Sequence, residues 1–254
     1  NKTTAGTVTL SGANTYTGTT TVTGGTLNLS GSLNTAGLLV VNGGTFDLQT
    51  GSQTMAGVQL TAGTIQNGTL TLNTGNYDLQ AGAVSAALAG TAGANKTTAG
   101  TVTFSGTGAN TYAGLTTVSA GTLNLNKTAV DAIAGNLTVS GGSAVLQAAD
   151  QINNGSAVVV SGGILDVATF NDTVASVQLT GGSINGTTGV LTSTAAFDLQ
   201  SGSASAILGG TAGANKTTAG TVTLSGANTY TGLTNITAGS LTLGASNVLA
   251  DAST

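Results

Sequence analysis

The residues with which this chain could do chemistry are few. Its eight acidic residues are all aspartates, its four cations are all lysines, and Arg, Glu, His, Cys, Trp and Pro are missing. Two carboxylates about 5 to 9.5 Å apart would suit glycoside hydrolysis. Asp47, Asp78, Asp166 and Asp198 each stand between two apolar residues, as in Phe46-Asp47-Leu48, and strand alternation turns them outward. Asp47 and Asp166 fall at one position of the repeating pattern described below, yet about six coils apart, on the order of 29 Å. Asp78 and Asp198 are separated similarly, so no hydrolytic pair is expected. Elimination chemistry wants a base such as Arg near the acid, and Arg is absent. Asp131, Asp150 and Asp172 precede glycine turns by similar intervals. If stacked, they would offer calcium a cluster of oxygens. The Gly-Gly-x-Gly-x-Asp calcium nonapeptide is absent, and these three are expected to be solvated turn residues. No catalytic residue, metal site or cofactor follows from the carboxylates.

Composition excludes further classes. Four lysines in 254 residues cannot neutralise a run of phosphates, which rules against nucleic-acid binding. Without His or Cys there is no ordinary zinc or haem ligand, no His-based triad, no thiol nucleophile and no disulfide. No apolar run reaches the 18 residues of a membrane helix, and the first residues do not read as a signal peptide. Hydrophobic residues make up 39%, enough for a core. Fifty threonines and 41 glycines favour strands and tight turns, hence an all-β chain.

Repetition organises the sequence. The string NKTTAGTVTLSGANTYTG at 1–18 returns at 95–114, with two residues added and two changed, and unchanged at 215–232. The long units are therefore 1–94, 95–214 and a partial 215–254 within one continuous segment. A shorter period lies inside them. Turns of Gly-Gly, Ala-Gly or Ser-Gly begin at 24, 43, 62, 81, 120, 141, 162, 181, 201 and 238. Most are 19 to 21 residues apart, and the two wider gaps are close to double that. Two residues before each turn stand Val22, Val41, Leu60, Leu79, Val118, Val139, Val160, Leu179, Leu199 and Ile236. Three residues after its first member stand apolar residues from Leu27 and Phe46 to Leu241. An inward position recurring about every 20 residues marks the coils of a solenoid rather than hairpins. Roughly 13 coils are expected, forming a rod of about 60 Å with an internal aliphatic ladder.

The string T-V-T-L-S-G-A-N-T-Y-T-G, followed by a Val strand and G-G-T-L-x-L, spans 7–29, 101–125 and 221–243 in slightly varied form. It resembles the passenger-associated transport repeat of bacterial autotransporters and giant adhesins. The resemblance implies a right-handed parallel β-helix, exported through a barrel and displayed outside the outer membrane. It also implies that this chain is a piece of a longer protein. The motif occurs in proteins of many activities, so it specifies scaffold and export rather than ligand.

The remaining distinctive residues have plain readings. Lys2, Lys96 and Lys216 share one slot and are expected to be solvated turn residues that discourage stray strand pairing. Tyr16, Tyr112 and Tyr230 share another slot and are expected to pack at a corner. Phe46, Phe104, Phe170 and Phe197 are expected in the core. Thr-x-Thr pairs at 7/9, 69/71, 101/103 and 221/223 suggest an ice-binding face, but three of the four lie a long repeat apart. The leading expectation is a non-enzymatic, extracellular stalk or filament segment. Its partners would be its own kind, end to end or laterally, or a host or neighbouring cell surface. An ice- or glycan-binding solenoid is the alternative, and a polysaccharide-degrading enzyme ranks below it.

Overall fold

Alternating Thr and aliphatic residues broken by Gly corners fold into short strands whose apolar side chains face one way. The computed structural model describes residues 1–249. It is a helix-free β-solenoid, 51% strand, with coils about 19 residues apart and about 12 turns. All strand pairs are parallel, as stacking coils of one chain requires.

Each coil has three faces. The first carries strands such as Thr20–Val22, Leu137–Val139 and Phe197–Leu199. The second carries Thr26–Leu29, Thr122–Leu125 and Ser240–Leu243. Where the corner is short, one ten-residue strand crosses both, as in Leu38–Asp47 and Ala157–Asp166. The third face has two separate three-stranded sheets. Ser52–Met55, Thr69–Leu72 and Ala87–Ala89 form one. Asp172–Val174, Val190–Ser193 and Ile207–Gly209 form the other. Between them this face is loop, with one bridge from Ile133 to Ile152.

The first face carries the ladder. Val22 pairs with Val41, Val41 with Leu60, and Leu60 with Leu79. Val118 pairs with Val139, Val139 with Val160, Val160 with Leu179, and Leu179 with Leu199. All of these are buried. Ile236 belongs to the last described strand of this face and is exposed. Each buried aliphatic contributes about 1.5–3 kcal/mol.

The missing rungs are lysines. Lys2 bridges to Val22, Lys96 pairs with Val118, and Lys216 pairs with Ile236. The pairs Asp78–Asn95 and Asp198–Asn215 set Lys96 above Leu79 and Lys216 above Leu199. The ladder therefore takes five steps from Lys2 to Lys96 and six from Lys96 to Lys216. The extra length of the second unit is thus one added coil.

The second face departs from the pattern read in sequence. Ile65 pairs with Val84, but Val84 pairs with Phe104, and Phe104 with Leu125. Leu123 instead stands over Val102, which stands over Gly82. The corner Thr97-Thr98-Ala99-Gly100 is longer than a Gly-Gly corner and slips the register by two residues. Inward residues stay inward because the slip is even. Asp166 consequently stacks in the line of Val145, Asn124 and Thr103, and so with Ala83, Thr64 and Thr45 rather than with Asp47.

Val160→Asp places a carboxylate without a partner in the ladder and should cost several kcal/mol. Asp166→Asn should be nearly silent, since the acceptor for the Ala168 N–H survives. Thermal melting of the two variants compares them. Similar shifts would mean that inside and outside are misassigned.

Candidate functional site

Candidate site residues fall into three groups: lysines at the long corners, carboxylates on the outer faces, and a buried polar line where the third face lacks strands.

The corner lysines are buried, contrary to the solvated role expected for them. Their alkyl stems fill the ladder, and their ammonium groups reach the corner. Lys96 Nζ donates to the Thr98 carbonyl on its own coil and to Ala120 O of the next at 3.2 Å. Lys216 Nζ donates likewise to Thr218 O and to Ala238 O at 3.3 Å. Lys2 Nζ uses Thr4 O and Gly24 O at 3.0 Å. The glycine after each upper carbonyl has positive φ: 61° at Gly25, 66° at Gly121 and 72° at Gly239. A methyl group on Gly121 would sit 2.7 Å from Lys96 Nζ. Burial holds the Lys96 ammonium below the usual lysine range. A lysine can serve as a ladder rung because its polar end finds carbonyls at the corner.

The outer carboxylates are engaged one by one. Asp78 accepts from Gln59 at 2.7 Å and Gln80 at 2.9 Å. Asp198 accepts from Gln178 and Gln200 at 2.7 and 2.8 Å. Asp47 is more enclosed than its outward position suggests. It accepts from Gln66, Asn67 and the Gln49 N–H. Burial alone would raise its pKa, but these hydrogen bonds outweigh it and the net shift is downward.

Of the three aspartates considered for calcium, Asp150 is exposed and Asp131 half-buried. Both line a cavity of about 460 Å³ whose wall also includes Asn126, Thr128 and Ala149. Asp131 accepts from Asn153. Asp172 is buried, not solvated, and does not line that cavity. Among the described residues no three acidic side chains gather as a metal group would.

The buried polar line replaces the absent strands. Lys127 is fully buried, and its Nζ donates to Ala86 O, Ser105 O and Gly108 O at 3.3, 3.0 and 2.8 Å. Its backbone N–H donates to Gln151 Oε1, and Gln151 Nε2 donates back to Lys127 O. The Gln151 and Ile152 N–H groups donate to Asp172 Oδ2, while Asp172 Oδ1 is buried without a partner. Burial pushes Asp172 up to about 7, with Asp150 adding to the rise, and pushes Lys127 down to about 8. This line satisfies backbone groups, and Lys127 also contributes to the wall of the cavity that Asp131 and Asp150 line. Sequence reasoning passed over Lys127 and Gln151 because nothing repeats them.

Tyr112 and Tyr230 are packed corner residues, each bonded through its hydroxyl to the threonine four residues on, whereas Tyr16 makes the same bond to Thr20 but is 43% exposed rather than packed. Phe46, Phe104 and Phe197 are buried and Phe170 partly so. The Thr columns are more continuous than the Thr-x-Thr spacing suggested. Thr7, Thr26, Thr45 and Thr64 stack on four consecutive coils.

The fold and its corners define a repetitive β-solenoid in which one coil type, marked by a lysine rung, recurs three times. Those three stretches, residues 1–29, 95–125 and 215–243, match the model of the passenger-associated-transport-repeat. The chain thus carries three such repeats, each folded as a long-cornered coil and the coil after it. No curated protein and no solved structure matches the chain.

Lys96→Leu keeps the rung's apolar stem but strips two part-buried carbonyls of their donor. A loss of about 1–3 kcal/mol is expected, read from urea midpoints. A gain in stability would show that the ammonium contributes nothing.

Asp172 gives a pH dependence. Its folded pKa is raised, so folded chains hold a proton that unfolded chains have already released. Its contribution to stability is greatest below about pH 4, where the unfolded group is also protonated, and declines as pH rises towards about 7. Asp172→Asn should flatten that decline. Urea midpoints at pH 4 to 8 for both proteins test it.

Proposed function

We propose that this chain is a structural section of an autotransporter passenger: a β-solenoid stalk displayed at a bacterial cell surface, with no catalytic role. The observation that carries the proposal is the three transport repeats, each built into one unbroken parallel stack. The outer columns support an adhesive role. Thr117, Thr138 and Val159 continue into Gln178, Asp198 and Asn215 along one face, with little net charge to oppose lateral contact between rods. Self-association is therefore proposed to be lateral, through hydrogen-bonding side chains.

The test is to place residues 1–254 in a cell-surface display system, ahead of a heterologous outer-membrane translocator. Added protease should reach the solenoid on intact cells, and displaying cells should settle faster than cells with the translocator alone. A chain retained inside the cell would overturn the passenger reading. A displayed chain without faster settling would overturn self-association only.

A further inference from the structure

An asparagine side chain can be attacked by the backbone nitrogen that follows it, and glycine leaves that nitrogen least shielded because it has no Cβ. The sequence holds four Asn-Gly pairs: Asn42-Gly43, Asn67-Gly68, Asn154-Gly155 and Asn185-Gly186. The fold treats them differently.

Three are held. Asn42 lies inside strand Leu38–Asp47 and pairs with Ala62 of the next coil. Asn67 and Gly68 form a left-handed turn, with φ of 59° and 51°. Asn67 Nδ2 donates to Asp47 Oδ1 at 2.8 Å, so a carboxylate in its place would face another carboxylate. A methyl group on Gly68 would lie 2.3 Å from Gly51 O, so the turn is closely packed. Asn185 ends strand Ser176–Asn185 and its carbonyl accepts from the Val167 N–H. Gly186 is hemmed in by Val167 and Ala206.

Asn154-Gly155 is free of these restraints. Both residues are exposed and lie in a turn outside any strand. Gly155 is not among the positive-φ residues, and a methyl group there would meet only Asn153 Oδ1, at 3.2 Å. Its N–H donates to that same oxygen at 2.9 Å, within the turn and not across coils. The turn is closed by the Ser156 N–H on Asn153 O at 2.8 Å. It sits where the third face has no sheet and is tied by the bridge from Ile133 to Ile152.

We infer that Asn154 is a self-modification site, the asparagine at which this chain deamidates first. The Gly155 nitrogen attacks the Asn154 side-chain carbonyl carbon and closes a succinimide ring. The side-chain nitrogen leaves as ammonia, taking up the Gly155 amide proton. Water then opens the ring at one of its two carbonyls, leaving aspartate or a β-linked isoaspartate. Attack requires loss of the amide proton, so the reaction quickens as pH rises. Isoaspartate puts one more carbon into the main chain of the turn and breaks the fit of Ser156 to Asn153. Either product adds a carboxylate beside Asn153, whose Nδ2 already serves Asp131 at 2.8 Å. The third face is altered at its least-paired stretch, while the ladder of Val139, Val160 and Leu179 keeps its pairing.

The test incubates the whole chain at about pH 8 and 37 °C and follows the replacement of amide by acid at each Asn-Gly by peptide mass mapping. Asn154 should convert at least about tenfold faster than each of the other three, which react only through local opening of packed structure. In urea strong enough to unfold the chain, the four should convert at similar rates. Gly155→Ala, which the open space accommodates, should slow conversion at 154 at least about tenfold by shielding the nitrogen. In the isoaspartate form, amide exchange at Ser156 should quicken and that at Val160 should not. No conversion at 154, equal conversion at another Asn-Gly of the folded chain, or the same ranking in urea would overturn the inference. So would a Gly155→Ala chain that converts as fast as the parent. Unchanged exchange at Ser156 would overturn the loosening of the turn.

Discussion

Parallel pairing of each coil with the next, one strand spacing away, is the constraint from which the rest follows. It places the same position of every coil in one line, so each line needs groups of one kind. Aliphatics inside bury their surface against the rungs above and below, while Thr, Asn and Gln outside bond to one another or to water. A polar rung inside the stack is tolerated only if its polar end reaches partners. Lys96 meets that condition at its corner and Lys127 through three carbonyls; Asp172 meets it at only one of its two oxygens.

The lysine rungs link the long repeat to the short one. A lysine in the ladder needs a corner long enough to present a carbonyl from its own coil and a glycine-bearing corner above to present another. The Lys-Thr-Thr-Ala-Gly string and the following Ala-Gly or Gly-Gly are one unit split between two coils. The same long corner slips the second face by two residues, which moves Asp166 out of line with Asp47 and leaves the outer carboxylates scattered singly.

Most of the architecture was legible because a solenoid writes its core as a period. Val22, Val41, Leu60 and Leu79 could be aligned by counting from Gly-Gly and Ala-Gly turns, and their recurrence excluded hairpins. The wide gaps after residues 81 and 201 showed that coils were hidden there, but not that their rungs were lysines. A charged residue beside threonines and a glycine reads as a solvated turn, and only the positions of carbonyls on another coil make it a core residue. Asp172 was misread for the same reason: its neighbours in sequence are polar, while its neighbours in space are the backbone of residues 151 and 152.

The sequence by itself determined the coil length, the inward ladder, the parallel stack and the kinship of the three repeats, because each depends on which residue types recur and how often. The tertiary structure decided the register of the second face, the interruption of the third and the burial of all four lysines. These depend on the length of individual corners and on contacts between residues about 20 or more positions apart. Composition and period are local properties of the chain; whether a buried polar atom finds a partner is settled only when the coils lie on one another.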